Sequence, residues 1–259
     1  MALLEVNGVG LETARFGDAH PGRPTLVFLH HGLGCVGLWR DFPERLAAAT
    51  GCPAFVYSRR GHGGSDPLPP AIRRPIDYIQ KEALEGLPQV LAAAAIDDMI
   101  LVGHSDGASM SLVYAASGAP GVRGVIVEAA HMNCETATRD AIVEARKDFE
   151  HGDLRERLER HHGDNVDGAF HGWCDGWLQP GFEDWNIEDH VANVTCPVLA
   201  IRGRHDVYGS GHQLDRLCEL ARCPLTSLSP DCGHDPHIEL ADEMLVVMGD
   251  FIADLVARR

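Results

Sequence analysis

The sequence predicts an α/β fold: a mostly parallel sheet flanked by helices and interrupted once by a purely helical insertion. Three observations predict it. Short apolar runs at residues 25–29, 54–57, 99–102, 122–127, 197–202 and 225–228 have the length and composition of buried strands. Stretches of helical period separate them, and strands alternating with helices are joined by right-handed crossovers into a parallel sheet. Between residues 131 and 194 the alternation stops and the period is helical throughout.

In order, the chain opens on two strand-like runs, 3–6 and 10–16, around Asn7 and Gly8, a pair that predicts an antiparallel hairpin. The strand at 25–29 runs into a glycine-rich loop, His30, His31, Gly32, Leu33, Gly34. A helix is expected at 38–49 and a strand at 54–57. The basic, glycine-rich turn at 59–65 lacks the Lys-Ser/Thr ending of a phosphate-binding loop. Ile76, Ile79, Ala83, Leu87, Val90, Leu91 and Ala94 recur at helical spacing, interrupted by Gly86 and Pro88, which predicts a kinked helix over 75–95.

In the insertion, Ile142, Ala145 and Phe149 share a face, as do Leu154 and Leu158, and Phe170, Trp173 and Trp177. An aromatic stripe of this kind is more often core than binding site. An insertion at the C-terminal edge of a parallel sheet, however, overhangs the ligand crevice, which makes Trp173 and Trp177 candidates for its wall. The charged residues of 139–160 form the solvated outer face. A helix at 209–221 and a closing helix marked by Met244, Met248, Phe251 or Ile252, and Leu255 complete the pattern.

A chain of 259 residues, 45% hydrophobic and 23% charged, suits an enzyme with one sizeable core. Its net charge of -16 lacks the basic footprint that a nucleic-acid or anionic-membrane partner requires. Residues 1–16 show neither a basic leader nor a long apolar run, so a cytoplasmic location is expected. The 8 cysteines are scattered with no C-x-x-C pair, and read as small buried apolar residues rather than disulfide partners. Two of them, Cys35 and Cys232, adjoin candidate catalytic loops.

The chemistry centres on Gly103, His104, Ser105, Asp106, Gly107, a G-x-S-x-G motif between the apolar run at 99–102 and a helical stretch at 108–114. The strand and helix context is that of a sharp turn presenting the Ser105 hydroxyl above a helix N-terminus, a nucleophile's position. A serine needs a base, and the base an orienting acid. Asp206 follows the run at 197–202, and His234 follows the run at 225–228 in the setting Gly-His-Asp-Pro. Both lie where loops leave the same sheet edge as Ser105. His205, His212 and His237 are the rivals of His234 nearest in sequence. Neither the His30–His31 pair nor the His161–His162 pair has the spaced ligands of a zinc site, so no metal is expected.

With these residues in place the sequence resembles the α/β-hydrolase superfamily over nearly its whole length. The resemblance implies an eight-stranded sheet whose second strand is antiparallel, a hydrolase core at 1–130 and 195–259, and a helical cap at 131–194. It matches His31, Gly32 and Leu33 to the oxyanion loop, so that the Leu33 and Asp106 amides hold the oxyanion. It also matches residues 57–65 to a D-x-R-G-x-G-x-S loop, with Ser58 at the usual Asp position, and makes Glu128 an alternative acid, since some members place the acid there. The activity implied is that of a serine hydrolase acting without a cofactor on a small-molecule carboxylic ester or lactone. A carbon–carbon bond hydrolase of ring-cleavage products is the alternative within the family, and a non-catalytic binding protein of the same fold is the alternative outside enzymes.

His31, Asp106, Trp173 and Trp177 are the candidate substrate contacts. Asp106 is unusual, because a carboxylate pointing at the oxyanion would oppose its charge. Either it turns away into a hydrogen-bonded site, or it meets a cationic group of the substrate, as the Asp of some family members that hydrolyse amino-acid esters suggests.

Overall fold

The computed structural model describes residues 2–69 and 74–257. Strands β1 (Ala2–Val6) and β2 (Val9–Phe16) form the antiparallel hairpin, with Asn7 and Gly8 both at positive φ in its turn. Strands β3 (Thr25–Leu29), β4 (Ala54–Tyr57), β5 (Met99–His104), β6 (Val122–Glu128), β7 (Val198–Ile201) and β8 (Leu225–Leu228) complete an eight-stranded sheet in the order β1-β2-β4-β3-β5-β6-β7-β8. Strand β2 pairs antiparallel with both neighbours, and every pairing from β4 to β8 is parallel. The chain steps from β3 outward to β4 and then returns to place β5 on the other side of β3, so the crevice between the ends of β3 and β5 is the topological switch point where ligands bind in such sheets.

Helix α1 (Phe42–Thr50) is preceded by a separate 3₁₀ turn at Val36–Trp39, so the helix expected at 38–49 is split; Arg40, at φ 54, breaks it. Helices α2 (Tyr78–Lys81) and α3 (Leu87–Ala93) are joined by a π-helical turn at Glu82–Gly86. The expected kink takes this form because Pro88 has no N–H for the regular ladder. Helix α4 (Asp106–Ala116) follows β5 directly. Four helices lie between β6 and β7: α5 (Thr136–His151), α6 (Leu154–His162), α7 (Val166–Leu178) and α8 (Glu188–Val191). Helix α9 (Gly211–Leu220) links β7 to β8, and α10 (Pro236–Glu239) and α11 (Ala241–Ala257) close the chain.

Side chains alternate across the sheet, so β3 feeds two cores. Leu26 and Phe28 pack with Phe42, Met248 and Ile252 on one face, while Val27 and Leu29 pack with Leu91, Leu112 and Val113 on the other. Of the two candidates in the closing helix, Ile252 is the buried one. The central strands are buried along nearly their whole length, as parallel strands covered on both faces must be, whereas the edge strand β8 is half open. The aromatic stripe of α7 packs into the core, where Phe170 stacks on Phe149 at 3.7 Å and Trp177 packs on Phe182 at 4.7 Å, while Trp173 and Trp177 also face a cavity. The charged outer face carries exposed ion pairs from Arg155 to Asp167 and from Arg157 to Asp148 and Asp153.

All eight cysteines are free, but only Cys35, Cys52, Cys174 and Cys232 are buried; Cys218 is exposed, contrary to the expectation for the set. Among the described residues no helix is long and apolar enough to cross a membrane.

Candidate active site

Ser105 sits between β5 and α4 at φ 53 and ψ -116, a strained conformation for a residue with a side chain. The turn closes so tightly that a Cβ on Gly103 would come within 2.4 Å of the Gly107 carbonyl oxygen, and one on Gly107 within 2.0 Å of the Leu29 carbonyl oxygen. Only glycine fits either place, which is the physical content of the motif. The Ser105 amide donates to the Glu128 carbonyl at 2.8 Å, tying the elbow to the end of β6.

Asp206 and His234 meet across the loops that follow β7 and β8. His234 Nδ1 lies 2.8 Å from Asp206 Oδ1, and the Tyr208 amide donates to the same oxygen at 2.9 Å. Burial opposes ionisation of Asp206, but the hydrogen bond and charge of His234 and the Tyr208 amide outweigh it and hold the carboxyl below its ordinary range. Burial likewise opposes protonation of His234, and the hydrogen bond and charge of Asp206 outweigh it, raising its pKa above the ordinary value. The acid loop is held from below by Arg202, whose Nε donates to the Gly209 carbonyl at 3.1 Å and whose Nη2 donates to the Asp206 carbonyl at 3.3 Å.

Glu128 does not bond to His234. Its Oε2 lies 2.6 Å from His237 Nδ1, so the alternative acid has a different partner.

The loop after β3, expected to hold the oxyanion, is pinned through three successive carbonyls. The His31 oxygen accepts from His30 Nδ1 at 2.7 Å and from Arg59 at 3.0 Å, the Gly32 oxygen lies 3.1 Å from His62 Nε2, and the Leu33 oxygen lies 3.0 Å from His162 Nε2. His162 Nδ1 accepts from the Gly63 amide at 2.9 Å, which leaves its Nε2–H as the donor to Leu33. Among the described residues the Leu33 amide meets only His31 Nδ1, at 3.3 Å, a long bond that a better acceptor would displace. The Asp106 amide, first in α4, has no partner among the described residues.

The Asp106 carboxylate is turned into the protein. Oδ2 accepts from the Tyr78 hydroxyl at 2.5 Å and Oδ1 from Trp177 Nε1 at 3.3 Å, while Trp177 Nε1 also lies 2.9 Å from the Tyr78 oxygen. This is the hydrogen-bonded arrangement of the two expected for Asp106. Burial and the neighbouring carboxylate push the Tyr78 hydroxyl well above its ordinary pKa, so it remains a donor.

Ser105, His234, Leu33, His31, Asp106, Trp173 and Trp177 all line one cavity of about 330 Å³, whose far wall is built by Ile142, Leu154 and Leu158 of α5 and α6. Cys35 also reaches it, with burial raising its thiol to about 11, so this thiol is protonated at neutral pH; Cys232 does not line it. His131 lines it as a neutral imidazole, pushed down to about 4 by burial and by the charge of His234.

Sequence reasoning missed Glu12, His131, His162, Arg202 and Tyr78. At Ser58, where the resembled loop has Asp, the hydroxyl donates to Glu12 Oε2 at 2.6 Å, and the Gly64 amide donates to that oxygen at 3.0 Å: β2 supplies the carboxylate that position 58 lacks. The only signal for Arg202 was its place at the end of a strand before the acid loop.

Among the described residues, donor atoms of His31, His104 and Asp235 converge within 4.8 Å. His104 Nε2 already meets the His234 carbonyl at 2.9 Å and His31 Nδ1 accepts from the Leu33 amide at 3.3 Å, so two of these groups already carry hydrogen bonds to the backbone.

Residues 24–183 match the family model described as the alpha/beta hydrolase fold. A 172-residue stretch is 30% identical to the 2-succinyl-6-hydroxy-2,4-cyclohexadiene-1-carboxylate synthase of Salmonella paratyphi C, covering 66% of this chain and 60% of that protein. The chain thus spans about three fifths of the length of those curated relatives. The serine hydrolase BPHL of Mus musculus is 26% identical, over 97% of this chain and 86% of its own. Among solved structures, the enol-lactonase of Burkholderia xenovorans has a TM-score of 0.73 at 18% identity, covering 96% of this chain and 99% of that one.

Proposed function

Because the chain belongs to the α/β-hydrolase fold family, we propose that it is a serine hydrolase cleaving a small or medium carboxylic ester or lactone through an acyl-enzyme. The observation that carries the reading is the His234–Asp206 pair at 2.8 Å, its imidazole lining the same cavity as a serine held at φ 53. In this mechanism Ser105 Oγ attacks the substrate carbonyl as His234 Nε2 takes its proton. Asp206 holds Nδ1–H and stabilises the imidazolium. The Asp106 and Leu33 amides receive the oxyanion, the latter giving up its long bond to His31. Collapse of the tetrahedral intermediate returns the proton to the leaving alcohol, and a water activated by His234 then releases the acid. A lactone follows the same steps and yields one hydroxy acid.

The inserted helices act as a cap over Ser105, and their apolar wall of Ile142, Leu154, Leu158 and Trp173 receives the apolar part of the substrate. The mouse relative named a serine hydrolase and the structural neighbour named an enol-lactonase support the same reading. A fluorophosphonate probe tests it: wild type is labelled on Ser105 and Ser105→Ala is not, and equal labelling of the two overturns it. A panel of esters, lactones and vinylogous diketones then assigns the bond, and turnover of the diketones alone replaces ester cleavage by carbon–carbon cleavage.

A further inference from the structure

The buried Glu128–His237 pair lies beside the proposed triad and takes no part in the steps above. We infer that Glu128 and His237 are positioning residues that clamp the histidine loop to the nucleophile elbow. The inference rests on the assignment of Ser105 and His234. Glu128 is fully buried and His237 is 3% exposed, with 2.6 Å between Oε2 and Nδ1. Burying two ionisable groups costs more in desolvation than apolar residues of the same size would, so such a pair is retained more readily for registry than for stability.

The connectivity shows what is registered. Glu128 ends β6, and its carbonyl already holds the Ser105 amide at 2.8 Å. Its side chain holds His237, in the first turn of α10 and three residues beyond His234. Glu128 therefore touches Ser105 through its backbone and, through its side chain, the helical turn three residues beyond His234.

A second tether runs parallel to it. His104, next to Ser105, contacts the His234 carbonyl through Nε2 at 2.9 Å, and its ring lies 4.9 Å from that of His234 and 5.1 Å from that of His237. Trp39 and Phe42, at 4.6 and 5.6 Å from the His237 ring, shield the pair from water. Glu128 Oε1 has no hydrogen-bond partner among the described residues, so the carboxylate is held by His237 alone. Glu128 does not line the cavity, whereas His237 does, so removing the Glu128 side chain is the variant that tests the clamp apart from substrate contacts: it lets His234 drift, and a misplacement of about 1 Å can cost about 100-fold in rate.

The test uses Glu128→Ala, Glu128→Gln, His237→Asn and the Glu128→Ala/His237→Ala double variant, with p-nitrophenyl butyrate hydrolysis, the rate of fluorophosphonate labelling and the melting temperature as readouts. Glu128→Ala is expected to lower kcat about 10- to 100-fold with KM within about twofold, and to slow labelling in parallel. Glu128→Gln keeps an acceptor for His237 Nδ1–H and is expected to recover most of the loss. The double variant is expected to be no worse than the worse single one. If Glu128→Ala does not fold, His237→Asn carries the same expectation. Wild-type kcat in the folded variants, a loss confined to KM, or Glu128→Gln as impaired as Glu128→Ala overturns the clamp. Failure of wild type to label on Ser105 overturns the underlying assignment instead.

Discussion

Two histidines three residues apart each hold a carboxylate, and their surroundings differ. His234 meets Asp206 at 2.8 Å on the cavity side, with 13% of its side chain exposed and an acid carried on a loop. His237 meets Glu128 at 2.6 Å, at 3% and 0% exposure, with the acid at the end of a strand. The two pairs have the same chemistry in different settings. A loop acid beside a partly exposed imidazole is suited to follow a proton as it is taken up and returned, whereas His237, although it too lines the cavity, has its ring packed by Trp39 and Phe42 and its acid fully buried at a strand end, an arrangement suited to holding geometry. Both imidazoles line the cavity, and what separates the two pairs is the exposure of the ring and whether its acid sits on a loop or at the end of a strand.

The largest effect is expected at the proposed nucleophile: Ser105→Ala lowers kcat by about 10⁶-fold on any ester that wild type turns over, measured by spectrophotometric hydrolysis. Next, Asp206→Asn lowers kcat about 10⁴-fold, against the 10- to 100-fold loss given above for Glu128→Ala; comparable losses for both would erase the distinction. In wild type, His234 must be neutral to act as base. Since its pKa is raised, the ascending limb of kcat/KM against pH has its midpoint above 6.5, and a midpoint below 6.5 contradicts the pairing with Asp206.

A broader pH effect comes from the histidines around the pairs. His30, His62, His104 and His131 are buried and held neutral, chiefly by desolvation. Their folded pKa values lie below 6.5 and the unfolded chain takes up the protons first. Stability is therefore full above pH 6.5 and falls as pH drops toward the folded values, about 4 for His131, by up to about 1.4 kcal/mol per histidine per pH unit. His234, with a raised pKa, works in the opposite sense and offsets part of this. Urea midpoints at several pH values below 6.5 measure the net fall, and a flat profile would mean that these rings are not held neutral. The smallest effect is expected for Asp106→Asn, which weakens the bond to Tyr78: about 1–3 kcal/mol of stability, read from the urea midpoint, with neutral and amino-acid esters affected alike. A loss confined to amino-acid esters would assign Asp106 to a cationic substrate group.

What the sequence determined by itself is local. The alternation of apolar runs and helical periods, the Asn7–Gly8 hairpin, the kink near Gly86 and Pro88, and the glycine-bounded turn at Ser105 each depend on neighbours within a few residues, where backbone sterics and periodicity act. Asp206 and His234 were legible for the related reason that loops after parallel strands must emerge at one edge. Their pairing, and the contact of Glu128 with His237 instead, are tertiary facts. So are the bonds of Ser58 to Glu12, 46 residues away, of Asp106 to Tyr78, 28 away, and of the Leu33 carbonyl to His162, 129 away. A side chain's partner across such separations is set by how helices and strands pack, and packing decides which of several chemically equivalent histidines, or acids, lies within hydrogen-bond reach. The sequence named the chemical groups; the fold chose which of them touch.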